Sequence, residues 1–121
     1  MNAPTTWTVL AIEDDPEVLD IIGTHLRRAG YRVLQATDGE SGLALARRGD
    51  VDVITLDILM RPLDGVAVLR LLRADPVTST IPVVLVTVVD GLAGMAADGY
   101  VSKPFSGRRL VAEVRRLLEP A

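Results

Sequence analysis

The chain has 121 residues, the length of one ordinary domain, and its 49% hydrophobic and 24% charged residues are enough to build a core without cross-links. It has no cysteine, which excludes disulfides, thiolate chemistry and Cys-ligated metal centres and fits a reducing compartment. A net charge of −3 and the lack of a bilayer-spanning apolar run argue against direct nucleic-acid binding and membrane insertion. We therefore expect a single cytoplasmic domain over residues 1–121.

Short β-branched apolar runs alternate with segments of helical periodicity along the whole chain. No hairpin signal separates the runs, so the strands are expected to be parallel and covered by helices on both faces. This pattern predicts an α/β fold, a flavodoxin-like doubly wound sheet of five strands in the order 2-1-3-4-5. The predicted strands are residues 7–12, 31–36, 51–56, 82–86 and 100–101, and the clear helices are residues 16–29, 40–48, 65–73 and 106–118.

Charged and hydroxyl residues follow the predicted strands, and the carboxyl ends of parallel strands meet at one edge of a sheet. Glu13 and Asp14 follow strand one, Asp57 follows strand three, Thr87 follows strand four and Lys103 follows strand five. Lys103 is the only lysine among thirteen basic residues, which points to a specific use of its compact ammonium group. Three crowded carboxylates recruit a cation, and an all-oxygen site suits Mg²⁺, which keeps several waters and accepts a phosphate ligand.

The same residues predict phosphoryl chemistry. Mg²⁺ bridging Asp57 and an incoming phosphoryl group would neutralise charge, while Lys103 pairs with one phosphoryl oxygen and Thr87 donates a hydrogen bond to another. Asp57 is then the nucleophile.

With Lys103-Pro104-Phe105 after strand five, these motifs resemble the response-regulator receiver domains of two-component signal transduction, and the resemblance covers nearly the whole chain. It implies that Asp57 is the phosphoacceptor. It also implies that Asp14 and Asp57 bind Mg²⁺ directly, that Glu13 binds mostly through water, and that the carbonyl of Leu59 completes the protein ligands.

The resemblance further makes Thr87 a hydroxyl switch, Tyr100 an aromatic that changes rotamer with it, and the Lys103–Pro104 peptide cis. The phosphodonor would be a phosphohistidine on a sensor histidine kinase or phosphotransfer protein, and the signal would pass to an unidentified downstream protein. We expect a monomer or weak dimer whose catalysis is at most self-phosphorylation and slow autodephosphorylation. The last helix ends near Pro120, so we expect either a stand-alone regulator or an excised receiver.

Several positions depart from the family pattern. Pro62 stands one position later than usual, which predicts a different path for the loop after Asp57. Leu59 and Val89 are apolar where many relatives carry groups that orient a hydrolytic water, so we predict slow loss of the phosphoryl group. Val88 replaces a smaller residue, which predicts hindered phosphorylation.

The segment between Thr87 and Lys103 is shorter than the family norm by more than one helical turn, and it contains Gly91, Gly94 and Gly99. We therefore expect the fourth helix of the family to be shortened or missing. Signalling and dimerisation would then not use the usual output face, which that helix helps to build.

Alternative interpretations remain open at this stage. Val88 and the short segment also fit a receiver-like interaction module that works without phosphorylation. Asp14 could merely cap a helix, Thr87 could be an ordinary strand-end residue and Tyr100 a packed core aromatic. A haloacid-dehalogenase-type phosphatase is disfavoured because Leu59 stands where its second Asp belongs, and the acidic first loop disfavours flavin binding.

Overall fold

A computed structural model describes residues 6–92 and 94–119 of the chain. Five parallel strands form one sheet in the order β2-β1-β3-β4-β5, as the sequence predicts. Among these residues no helix combines the length and apolar character that crossing a bilayer requires. The elements are β1 (Thr8–Ile12), α1 (Pro16–Arg28), β2 (Arg32–Ala36), α2 (Gly39–Ala46), β3 (Val53–Leu56), α3 (Gly65–Ala74), β4 (Val83–Thr87), β5 (Gly99–Ser102) and α4 (Gly107–Leu118).

Every described helix begins with a side-chain cap that accepts a hydrogen bond from a backbone N–H of the first turn. The caps are Asp15, Asp38, Asp64 and Ser106, with the amides of Glu17, Ser41, Ala67 and Arg109 as donors. Such caps contribute about 1 kcal/mol each and place the helix starts directly after the loops that leave the strands. The predicted start of the first helix at residue 16 is therefore confirmed.

The side chains of β1, β3 and β4 alternate between two buried clusters, one on each face of the sheet. Leu10 and Leu56 contribute to the cluster under α2 and α3, whereas Val9 and Val84 contribute to the cluster under α1 and α4. Trp7 is half-buried and packs at the margin of the second cluster rather than at its centre. Burial on both faces explains why these three strands are almost wholly apolar.

The chain between β4 and β5 contains no helix within the described residues 88–92 and 94–98. Four half-buried apolar side chains of this β4–β5 segment, Val89, Leu92, Met95 and Ala97, pack against the cluster under α2 and α3. The prediction that the family's fourth helix is shortened or missing is confirmed for these residues. The helix labelled α4 here is the last predicted helix, residues 106–118. One face of the sheet is thus covered by two helices and an irregular segment, the other by two helices.

Helix α4 covers the free edge of β5 with charged side chains. Arg109 donates to the carbonyl of Tyr100 at 3.0 Å, Arg116 donates to the carbonyl of Asp98 at 2.8 Å, and Glu113 accepts from the Tyr100 N–H at 3.4 Å. Arg116 also donates to Glu113 at 2.6 Å. An edge strand with unpaired backbone groups invites pairing with other chains, and these contacts occupy part of that edge.

The pKa of Glu113 reflects this position. Burial alone would raise the pKa, but the hydrogen bonds from Arg116 and Tyr100, with the charge of Arg109, outweigh burial and hold it below its usual value. A carboxylate with a lowered pKa in the folded chain contributes stability above its unfolded pKa and loses it as the pH falls through the folded pKa.

We expect Glu113→Gln to lower the free energy of unfolding at neutral pH by about 1–2 kcal/mol, because a charge-assisted hydrogen bond is lost. The difference from wild type should shrink as the pH is lowered below about 4.3, the ordinary pKa of glutamate. Urea denaturation followed by circular dichroism at several pH values measures it, with the exposed Asp20→Asn as the control. A deficit that stays constant with pH would contradict this prediction.

Candidate functional site

The sheet register brings four strand ends to one edge. Ile12 pairs with Leu56 and Thr87 pairs with Ser102, so the residues that follow these pairs emerge side by side. The backbone N–H of Asp57 donates to the carbonyl of Ile12 at 3.2 Å, and the N–H of Lys103 donates to the carbonyl of Thr87 at 3.0 Å. Backbone hydrogen bonds therefore continue past the strands into the site itself.

Three carboxylates meet at this edge, as the sequence predicts. Glu13, Asp14 and Asp57 each offer an oxygen, and these oxygens lie within 4.8 Å of one another. Glu13 and Asp57 are buried, whereas Asp14 is exposed, so the cluster has a buried floor and a side open to solvent. This donor set of hard oxygen ligands fits a divalent cation such as Mg²⁺.

Lys103 supplies the positive charge of the cluster. Its ammonium group donates to Glu13 and, at 3.0 Å, to Asp57. Burial alone would lower the pKa of Lys103, but the hydrogen bonds to the two carboxylates and their charges outweigh burial and raise it. Burial is also the largest effect on Glu13 and raises its pKa, although the bond from Lys103 acts in the opposite direction. Lys103 is therefore cationic at neutral pH.

Backbone amides orient the other carboxylate oxygens. The N–H of Leu59 donates to Asp57 Oδ1 at 3.3 Å, and the N–H of Asp15 donates to Glu13 Oε2 at 3.1 Å. Each buried carboxylate thus has one oxygen bonded to Lys103 and the other bonded to the backbone of its own loop. This arrangement holds both groups in place, while Asp14 is left at the exposed side.

The loop after Asp57 lines one side of the site. Leu59 is 56% exposed, and a cavity of about 410 Å³ lies between Asp14, Leu59 and Arg61. The Arg61–Pro62 peptide is cis, as is the Lys103–Pro104 peptide, which confirms the prediction for the latter. The placement of Leu59 beside the acidic cluster is compatible with the ligand role of its carbonyl implied by the resemblance.

Thr87 and Tyr100 lie on adjacent strands, and within the described part of the chain neither side chain is hydrogen-bonded to the carboxylates. The buried hydroxyl of Thr87 accepts from the N–H of Val89 at 3.3 Å. The half-buried Tyr100 donates its hydroxyl to the carbonyl of Leu92 at 2.7 Å. Both proposed switch residues are therefore bonded to the β4–β5 segment. Val88, between them in the chain, is 59% exposed.

Two further residues have roles that the sequence did not indicate. Arg73, at the end of α3, donates to the carbonyl of Ala96 at 3.0 Å and to the carboxylate of Asp98 at 2.8 Å. Asp98 also accepts from the N–H of Val83 at 2.8 Å. The local pattern shows only a basic helix end and a loop acid, and nothing in it pairs residues 25 positions apart.

His25 takes part in the packing of two helices. His25 lies on α1, half-buried against Gly107 at the start of α4, and a side chain at Gly107 would overlap the imidazole ring. The contact belongs to the packing of α1 on α4 and lies outside the acidic cluster.

The fold and this site define a class of protein that comparison with known families identifies. Residues 9–115 match the family described as the response regulator receiver domain. The chain belongs to this family of two-component signalling proteins.

Among curated relatives, the chain is 40% identical over 116 residues to the DNA-binding dual master transcriptional regulator RpaA of Synechocystis. It is 38% identical over 117 residues to the probable transcriptional regulatory protein TcrX of Mycobacterium tuberculosis. These alignments cover 91% and 92% of this chain but 48% and 49% of the relatives. The chain therefore spans about half the length of the curated relatives it matches.

Solved structures are also similar. The chemotaxis protein CheY4 of Vibrio cholerae has a TM-score of 0.88 at 27% identity, over 94% of this chain and 100% of that one. The receiver domain of sensor histidine kinase PA1611 of Pseudomonas aeruginosa, with a magnesium ion in its active-site cleft, has a TM-score of 0.86 at 28% identity, over 94% of this chain and 98% of that one.

Gly65, the first residue of α3, allows this helix to approach the backbone of the acceptor loop. A Cβ atom at this position would overlap the carbonyl of Asp57 and the Cα of Ile58. Backbone atoms cannot swing aside as a flexible side chain can. At Gly23 in α1, by contrast, the added Cβ would meet only the ends of the Gln35 and Arg27 side chains.

We therefore expect Gly65→Ala to lower the free energy of unfolding by about 1–3 kcal/mol through overpacking, although helix propensity alone would favour alanine. The matched Gly23→Ala should stay within about 1 kcal/mol of wild type. Urea denaturation of the three proteins measures both effects. Equal stability of the two variants would show that the close approach at Gly65 does not matter.

Proposed function

We propose that this receiver domain is a Mg²⁺-dependent phosphoacceptor switch with Asp57 as the acceptor. The observation that carries the proposal is the Lys103 ammonium bonded to both Glu13 and Asp57 within a cluster of three carboxylates. A structural ion pair needs one acid for one base. The surplus of carboxylates instead suits a metal ion, and the metal ion can in turn bind a transferred phosphoryl group.

Each residue of the site has a separate proposed role. Asp14 and Asp57 would hold Mg²⁺ directly, with Glu13 acting mostly through water and Leu59 contributing its carbonyl. The ion, when bound, would offset negative charge on the phosphoryl oxygens. A carboxylate oxygen of Asp57 attacks the phosphorus atom, and the bond from phosphorus to the histidine nitrogen of the donor breaks, leaving the electron pair on that nitrogen.

Lys103 would exchange its bond to Asp57 for a bond to a phosphoryl oxygen, and Thr87 would turn its hydroxyl from Val89 towards another oxygen. Tyr100 would follow Thr87. Thr87 pairs with Ser102 at the carboxyl ends of β4 and β5, so this movement would start at the edge of the sheet. The switch role of both residues is supported by their shared bonding to the β4–β5 segment.

A sensor histidine kinase or phosphotransfer protein is the proposed donor. The family membership supports this choice, as does the similarity to the receiver domain of a sensor histidine kinase. The downstream target is a protein, and direct nucleic-acid binding by this domain is not proposed, although one relative is named as DNA-binding. The cytoplasmic location, the single-domain boundaries and the monomer or weak dimer stay predictions.

Incubation with a cognate kinase or a small phosphodonor in the presence of Mg²⁺ tests the acceptor. Intact mass spectrometry should show the gain of one phosphoryl group in wild type and in Asp90→Asn, an exposed acid in the β4–β5 segment. Asp57→Asn should gain none, because an amide is a far weaker nucleophile. A chelator should abolish the gain in wild type.

Equal gain by wild type and Asp57→Asn would place the acceptor elsewhere. No gain by wild type with its kinase would instead favour the phosphorylation-independent interaction module.

Leu59 and Val89 bear on how long the phosphoryl group persists. Leu59 is exposed and Val89 half-buried beside the site, and neither side chain can orient an attacking water. We expect Leu59→Asn to speed loss of the phosphoryl group by about threefold to tenfold, because an amide can position that water. Timed mass spectra after removal of the donor measure the rate. The exposed Leu71→Asn on α3 should match wild type, and an unchanged rate for Leu59→Asn would contradict the prediction. The hindrance expected from Val88 stays a prediction.

A further inference from the structure

The β4–β5 segment is held differently in its two halves. In the first half, the described side-chain hydrogen bonds come from the two proposed switch residues: Thr87 accepts from the Val89 N–H at 3.3 Å, and Tyr100 donates to the Leu92 carbonyl at 2.7 Å. If Thr87 and Tyr100 change their bonding partners, residues 88–92 lose these contacts. This half of the segment therefore depends on the state of the site.

The second half is bonded to α3 through one side chain. The guanidinium group of Arg73 donates from Nε to the Ala96 carbonyl at 3.0 Å and from Nη2 to the Asp98 carboxylate at 2.8 Å. Its Nη1 donates to the carbonyls of Ser79 and Ile81 at 3.2 and 2.8 Å. Arg73 thus joins α3, the loop before β4 and the chain that enters β5.

Asp98 extends this connection into the sheet. Its carboxylate accepts from the Val83 N–H at 2.8 Å, and its own N–H donates to the Val83 carbonyl at 2.8 Å. β5 begins at the next residue, Gly99. The bond from Arg73 to Asp98 therefore fixes the starts of both β4 and β5 relative to α3.

Apolar packing alone does not hold the second half. A groove of about 490 Å³ separates α3 from the segment, between Leu69 and Arg70 on one side and Gly94–Met95–Ala96 on the other. Elsewhere the sheet is covered by helices with buried faces. Beside the groove, the half-buried β4–β5 segment covers the sheet instead of a helix. The polar contacts of Arg73 supply the attachment that a packed helix would otherwise provide.

We infer that Arg73 is a positioning residue: it anchors residues 96–98, so that the rearrangement caused by phosphorylation is confined to residues 88–92. The inference rests on the proposed function, since it assumes that a phosphoryl group on Asp57 moves Thr87 and Tyr100. It assigns the outgoing signal to the exposed surface around Val88 and Asp90 rather than to the whole segment.

Lysine cannot replace Arg73 at this position. The planar guanidinium group spreads its donors over four acceptors, and an ammonium on a flexible chain reproduces the charge but not this geometry. Arg73→Lys therefore removes the anchor while it preserves the net charge. Arg70→Lys is the matched control, because Arg70 lines the same groove and makes no hydrogen bond or ion pair to the described residues.

Backbone-amide NMR tests the inference, with and without Mg²⁺ and beryllofluoride, a stable analogue of the phosphoryl group on an aspartate. In wild type and Arg70→Lys, beryllofluoride should shift the amides of residues 88–92 and leave those of residues 96–98 unchanged. In Arg73→Lys the shifts should extend through residue 98, and hydrogen exchange at residues 96–98 without the analogue should rise at least about tenfold. Phosphoryl gain by intact mass should equal that of wild type.

The inference would be overturned if the shifts reach residue 98 in wild type, or if Arg73→Lys shows the same shifts as wild type. Normal phosphoryl gain in these proteins would leave the proposed function standing. Absence of phosphoryl gain in wild type would overturn the proposed function and the inference with it. If Arg73→Lys does not fold, Asp98→Asn tests the same anchor. It keeps an oxygen for the Val83 N–H and removes the charge that Arg73 binds, so the shifts should again reach residue 98.

Discussion

The site depends on one cation placed among three acids. Glu13, Asp14 and Asp57 offer oxygens within 4.8 Å of one another, and the first and last of these residues are buried. Without compensation, such carboxylates would repel each other or take up protons. Lys103 bonds to both buried members of the cluster, and its positive charge offsets their mutual repulsion. A divalent cation would add further compensation at the open side beside Asp14.

This arrangement is possible because the backbone, rather than the side chains alone, sets the positions. Hydrogen bonds from Asp57 to Ile12 and from Lys103 to Thr87 prolong the parallel ladders beyond the strands. The close approach of Gly65 places α3 directly against the acceptor loop. The buried acids oppose folding to some extent, and the surrounding apolar strands provide the stability that tolerates them.

The two faces of the sheet are covered by different physical means. α1 and α4 pack apolar surfaces on one face, but on the other face an irregular segment replaces a helix beyond α3. This segment is bonded to Arg73 and Tyr100, which donate to its carbonyls, and to Thr87, which accepts from the Val89 N–H.

The sequence by itself determined the elements, the strand order and the set of residues at the sheet edge. Burial on both faces leaves uninterrupted apolar runs, and the charged and hydroxyl residues stand directly after those runs. Predicted and observed ends mostly agree within one or two residues. Only the tertiary structure decided that Lys103 bonds to Glu13 as well as Asp57, that Arg73 holds residues 96–98, and that Glu113 lies on the edge of β5. These contacts join residues distant in the chain, and local periodicity carries no information about which distant donor reaches which acceptor once the helices have packed.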